Sequence, residues 1–123
     1  MHNFKELNVW QKARAFSKSI YAMTSDFPKE ELFGVVSQLR RASISISSNI
    51  AEGSGRGSDK DMCRFLDIAL GSAFEVESLL YLALDLGYIN QNDFDNLNCQ
   101  VLEIGKMLSS LNQCLVKRQQ SNI

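Results

Sequence analysis

Apolar residues recur at steps of three and four over four stretches of this chain, and short polar breaks separate them. That period places the apolar side chains on one face of an α-helix and leaves the rest to water. The first stretch, predicted as a helix over 8–25, carries Val9, Ala13, Phe16, Ile20 and Met23. The second, predicted over 28–52, carries Leu32, Val36, Leu39, Ser43, Ile46 and Ile50. Its "SISISS" run alternates like a strand, but the helical stripe continues on both sides of it. The third, over 59–86, carries Met62, Leu66, Ala69, Ala73, Val76, Leu80 and Ala83. The fourth, over 91–116, runs Phe94, Leu97, Val101, Ile104, Leu108, Leu111, Leu115.

The punctuation agrees with those bounds. Pro28 suits the first turn of a helix, where its missing N–H costs nothing, and Glu30 and Glu31 complement the positive helix start. Ser58 and Asn90 are N-cap types. Gly53 and Gly87 are read as left-handed residues that stop the second and third helices. Four amphipathic helices on short links predict an all-α, antiparallel up-down-up-down four-helix bundle. It forms one domain over residues 1–118, with a polar tail at 119–123.

Composition narrows the function. The formal net charge is −1 with a pI near 5.8, so nucleic-acid binding would need a local patch rather than a basic chain. Cys63, Cys99 and Cys114 are odd in number and widely spaced, which fits reduced apolar residues and neither disulfides nor zinc. The one histidine, His2, stands at the N-terminus, which leaves no histidine triad and no histidine metal cluster. No leader h-region and no membrane-length apolar run is present, so the expected location is the cytoplasm. No metal and no cofactor is expected, and no residue set points to an enzyme.

"EGSGRGS", residues 52–58, holds three glycines, an arginine and serines. A Walker A loop needs a lysine followed by Ser or Thr after the glycines. A dinucleotide fingerprint needs a different glycine spacing and a preceding strand. Neither fits, so the segment reads as a helix stop, a turn and a helix start. Arg40, Arg41, Arg56, Lys60 and Arg64 lie on or near it and are the candidate anion or nucleic-acid contacts. Lys60 and Arg64 stand four apart on one helix face. Glu75 lies in an apolar helix and would need a partner, for which Arg41 or Arg40 is expected to form a structural ion pair. Phe65, Ile68, Leu79, Phe33 and Trp10 look surplus to a single bundle, and some of them are expected at subunit contacts.

A resemblance is carried by "FKELNVWQKA", "FPKEELFGVVSQLRRASISISSNIAEGSGRG" and "FLDIALGSAFEVESLLYLALDLGYI". With the motif RRASxSxxxNIAEGxGR, these resemble the four-helix bundle protein family encoded in intervening sequences of bacterial 23S ribosomal RNA genes. The resemblance runs from Phe4 to about Leu111. It implies a bundle that assembles as a homopentameric barrel. It also implies kinship with the accessory protein of diversity-generating retroelements, a basic pentamer that binds nucleic acid and partners a reverse transcriptase. The mild acidity here departs from that branch, although a pentamer would repeat a small patch five times. The motif residues carried over are Arg40, Arg41, Asn49, Glu52, Gly53, Arg56, Gly71, Ser72 and Glu75, none of them catalytic. Asn49, Glu52, Arg56 and Glu75 are expected to form a structural polar network. The expected function is a non-catalytic oligomer that binds structured RNA or another nucleic acid. The alternative is a scaffold for a protein partner, with no membrane role.

Overall fold

The computed structural model describes residues 2–121. It contains helices α1 (Asn8–Thr24), α2 (Val35–Ser54), α3 (Asp59–Asp85) and α4 (Gln91–Ser121). Each helix packs on two neighbours, in the cyclic order α1, α2, α3, α4 and back to α1. Contacts between opposite ends in sequence fix the directions. Arg40 near the start of α2 meets Thr24 at the end of α1, and Asp59 at the start of α3 meets Arg118 near the end of α4. The result is the up-down-up-down four-helix bundle that the helical period predicts.

The core is built from the four stripes. Phe16, Ile20, Leu39, Ile46, Ile50, Met62, Leu66, Leu80, Ile104 and Leu108 have almost no exposure. Each such side chain contributes roughly 1.5–3 kcal/mol by leaving water. Ser43 sits fully buried in the seam and donates its hydroxyl to the Arg40 carbonyl at 3.0 Å, so the polar group is satisfied without a partner helix. Trp10 and Leu79 pack against this core, while Phe65 is buried beside it at 8% exposure. Ile68 and Phe33 remain in water at 48% and 93%.

Helix α2 starts seven residues later than the 28–52 reading, at Val35. Pro28 has ψ 141°, an extended conformation, and Lys29–Glu31 forms one 3-10 turn. Gly34 then adopts φ −111° and ψ −117°, outside the helical region, so the turn cannot run on into α2. Leu32 therefore belongs to the link, not to the stripe, and is exposed. The Tyr88 hydroxyl donates to Glu31 Oε2 at 2.7 Å, and the Phe27 and Tyr88 rings lie 5.2 Å apart. These contacts fasten the link to the turn after α3. Glu31 at the phenol also holds the Tyr88 pKa above its ordinary value.

Two other expectations are corrected. Gly53 does not stop α2: the helix continues through it to Ser54, and Gly55 caps it at φ −83°. The tail at 119–123 is helical as far as Ser121, because Arg118 is anchored on α3. Its last two residues, 122–123, lie outside the described residues. Gly87 does close α3 at φ 77°.

Candidate nucleic-acid interface

The site begins with Gly53. A Cβ added there would lie 2.8 Å from Phe65 Cβ and 2.9 Å from Met62 Sδ. The missing side chain lets α3 close on the end of α2, and Phe65 is buried in the seam as a result. The Phe65 ring then organises charge. The Arg56 guanidinium carbon stands 4.9 Å from the Phe65 ring centroid, and that of Arg64 stands 5.9 Å from it. Two cations are thereby held against one ring. Each such contact contributes about 0.5–1 kcal/mol at exposed sites.

Arg56 also donates to Glu52 Oε1 at 3.0 Å across one helical turn, and its side chain is 48% exposed. It is thus both paired and open to solvent. Lys60 lies one turn before Arg64 and is exposed. Neither Lys60 nor Arg64 forms a salt bridge among the described residues. Ser58 caps α3 by accepting from the Asp61 N–H at 3.2 Å. Arg56, Lys60 and Arg64 therefore gather at the α2–α3 end of the bundle.

Arg40 and Arg41 are not part of that cluster. Arg40 is 16 residues from Arg56 along α2 and its exit, roughly 24 Å at the standard rise. Its Nε donates to Thr24 Oγ1 at 2.9 Å and its terminal nitrogen to the Tyr21 carbonyl at 3.4 Å. The guanidinium also lies 4.5 Å from the Tyr21 ring centroid. A cation at the carbonyl end of α1 complements the helix dipole, so Arg40 fastens α2 to α1. Arg41, next to it, is exposed.

The expected polar network divides in the same way. Glu52 and Arg56 pair, but Asn49 bonds back along α2 to Ser45, which in turn meets Ser72 of α3. The Asn49 Nδ2 donates to the Ser45 carbonyl at 2.8 Å and to Ser45 Oγ at 3.0 Å, and Ser72 donates to Ser45 Oγ at 2.8 Å. Glu75 joins neither group. It is exposed, and among the described residues no salt bridge links it to Arg40 or Arg41. Water solvates its carboxylate, and Arg40 is already occupied by α1.

One cluster has no clear sequence signal. Arg118 Nε donates to Asp59 Oδ2 at 2.6 Å, and His2 Nε2 lies 3.5 Å from Asp59 Oδ1. The His2 backbone N–H donates to the Ser54 carbonyl at 3.0 Å. His2 and Arg118 are thus both drawn to the α2–α3 link. The Arg118 hydrogen bond holds the Asp59 carboxyl below its usual range. Arg118 lies beyond the predicted end of the fourth helix at 116, and its partner is 59 residues away.

Charge is unevenly shared between the two hairpins. Helices α1 and α2 carry Lys12, Arg14, Lys18, Arg40 and Arg41 against Glu52 alone, five cations to one carboxylate. Helices α3 and α4 carry nine carboxylates to five cations. The absence of any acid from 8–24 is readable in the sequence and marks Lys12, Arg14 and Lys18 as a second basic feature.

An apolar groove of about 510 Å³ runs between α3 and α4, bordered by Leu70, Phe74, Leu102 and Gly105, with Glu77 and Lys106 at its edge. Glu77 is its only carboxylate among the described residues, and Lys106 makes no hydrogen bond to the Ser109 or Ser110 hydroxyls that also line it. Among the described residues there is no group of three potential metal ligands, and no helix is long and apolar enough to cross a membrane. Cys63 is half-buried, and burial pushes its thiol pKa up, which disfavours the reactive thiolate. Cys99 and Cys114 are exposed.

The sequence profile of the 23S rRNA-intervening sequence protein family matches residues 5–110. A crystal structure of a protein with unknown function from the S23 ribosomal protein family of Bacteroides thetaiotaomicron is similar to this fold, with a TM-score of 0.77. The two are 30% identical, over 85% of this chain and 97% of that one. The comparison with curated proteins gives no match.

Proposed function

Since the chain belongs to the 23S rRNA-intervening sequence protein family, we propose that it is a non-catalytic bundle protein that assembles as a homopentamer and binds structured RNA. The observation that carries the RNA reading is the pair of guanidinium groups, Arg56 and Arg64, held on the Phe65 ring beside Lys60. Arginine forks suit phosphate oxygens, and their flat faces stack on bases. One subunit offers only a small patch. Assembly repeats it around a ring, so that several weak contacts act on one RNA at a high effective concentration.

Titration of a structured RNA at several salt concentrations tests this. Affinity falls as salt rises, because each neutralised phosphate releases counterions. Arg56→Gln with Arg64→Gln weakens binding across sequences. It also lowers the salt slope by about one for each phosphate that a bound subunit no longer neutralises. No binding at low salt, or an unchanged slope in the double variant, rejects the reading. The open α3–α4 groove favours a second reading, a scaffold for a protein partner. Recovery of a stoichiometric protein after nuclease treatment, with no RNA affinity, would select it.

A further inference from the structure

The groove between α3 and α4 has two large residues standing in water at its borders, Phe74 at 63% exposure and Leu102 at 44%, and Tyr81, one heptad after Phe74 on α3, is 50% exposed. Gly105 floors it, and a Cβ there would meet only Leu70 Cδ1, at 3.6 Å. An apolar surface with projecting aromatics marks a contact site. Its surroundings are acidic. Glu77 lies at the groove itself. Asp67 and Asp85 share the face of Phe74 and Tyr81 by heptad and four-residue steps, and Asp95 shares that of Leu102. Lys106 is the cation at the groove edge.

The outer face of α1 has the opposite character. Ala15 and Ala22 stand one heptad apart, both exposed, with Arg14 and Lys18 beside them and no carboxylate anywhere on the helix. Gln11, Arg14, Ala15 and Lys18 border a depression of about 360 Å³. Small residues flanked by cations fit large residues flanked by acids in both shape and charge.

We propose that the α3–α4 groove of one copy receives helix α1 of a second copy, with Phe74 entering the depression at Ala15 and Lys18 facing Glu77. The two surfaces differ, so the contact is heterologous. Each copy then offers a free groove at one side and a free α1 at the other, the arrangement that closes into rings. This assignment rests on the oligomeric part of the function proposed above and names the faces that make it. It also reserves Arg14 and Lys18 for subunit contact, Lys12 being paired with Glu103 of its own α4 at 2.7 Å, and leaves Arg56, Lys60 and Arg64 for RNA.

Two surface variants test it, each first shown by circular dichroism to keep its helix content. Ala15→Trp fills the depression, and Phe74→Lys places a cation in the groove. In light scattering the wild type gives an oligomer mass, and each variant alone gives a monomer. Mixed in equal amounts, they give a dimer with one of each, because Ala15→Trp keeps its groove and Phe74→Lys keeps its α1. Variants that retain the wild-type mass overturn the choice of faces while the oligomer reading stands. Monomeric variants that fail to pair when mixed overturn the heterologous contact. A monomeric wild type removes this proposal and the oligomer reading together, but leaves the RNA titration to decide the rest. A charge exchange gives an independent check on the same register: Lys18→Glu lowers the mass and Glu77→Lys in the same chain restores it. Failure of that restoration removes the Lys18–Glu77 register.

Discussion

The link between α2 and α3 and the link between α3 and α4 both contain glycine, yet they use it for different physical ends. Gly53, Gly55 and Gly57 cluster at the first, and none of them has a positive φ. What matters there is the space that Gly53 leaves for Phe65 and Met62. The second link has the single Gly87, at φ 77° with nothing within 4 Å of an added Cβ. There the backbone conformation is the requirement. The Tyr88 N–H donates to the Ala83 carbonyl and the Gly87 N–H to the Leu84 carbonyl, each at 3.0 Å, which is the Schellman closure of a helix end. A dense run of glycines therefore marks helix proximity, and an isolated glycine marks the left-handed turn.

Gly53→Ala is the strongest way to break that contrast. The new methyl meets Phe65 Cβ, which is fixed to the backbone and cannot swing aside. Overpacking costs about 1–3 kcal/mol, against which the better helix propensity of alanine offsets up to about 1 kcal/mol. Urea unfolding should show a net loss, and RNA affinity should fall with it because Phe65 positions Arg56 and Arg64. Equal stability would show that the close approach is not what requires glycine. Gly87→Ala comes next. It costs about 1 kcal/mol from the left-handed conformation alone. RNA affinity should stay unchanged, since the Schellman turn lies at the other end of the bundle. A loss of binding here would erase the distinction between the links.

These examples also show how much of the molecule is legible in its sequence. The core is readable, because burial follows a helical period that the sequence states directly. Gly87 is readable, because the helix stripe ends beside it. Gly53 is placed at the right helix end by its sequence context but given the wrong role. Distinguishing a stop from a close approach needs the position of Phe65, twelve residues on. The start of α2 is misplaced because Pro28 suits both a first helical turn and an extended link. Gly34, with its non-helical ψ, decides between them only in three dimensions. The candidate cations are all visible as residues, but their grouping depends on which partners each side chain finds. Arg40 finds Thr24 and Tyr21 on α1, and Arg56 finds Phe65. Glu75 finds no ion-pair partner among the described residues, since no rule of sequence spacing prevents a carboxylate from simply facing water.

Gly57→Ala sharpens the comparison from the opposite side. Nothing lies within 4 Å of an added Cβ, and the backbone there is not left-handed. The substitution removes freedom from the unfolded chain and should stabilise by about 0.4–1 kcal/mol. A destabilised Gly57→Ala, measured in the same urea series, would mean that the first link needs glycine conformations after all.

The smallest effect concerns how the first link is tethered. Its helix start is held from outside by Arg118 on Asp59, whereas the second link closes on its own backbone. Arg118 keeps the Asp59 pKa below its ordinary value of 3.8, so the folded state binds that proton more weakly than the unfolded chain does. The resulting stability is fully present above the ordinary pKa. It is lost as the pH falls through the lowered folded value. Arg118→Gln removes the larger part of it and leaves the contact with His2, so the wild type should exceed the variant in Tm at neutral pH and the two should converge in acid. The Arg118 side chain is 53% exposed, so salt screens the pair and the difference should shrink as salt is added at neutral pH. Parallel Tm curves at every pH would show that Arg118 holds the end of α4 by packing rather than by charge. The tether at the first link would then be no more electrostatic than the backbone closure at the second.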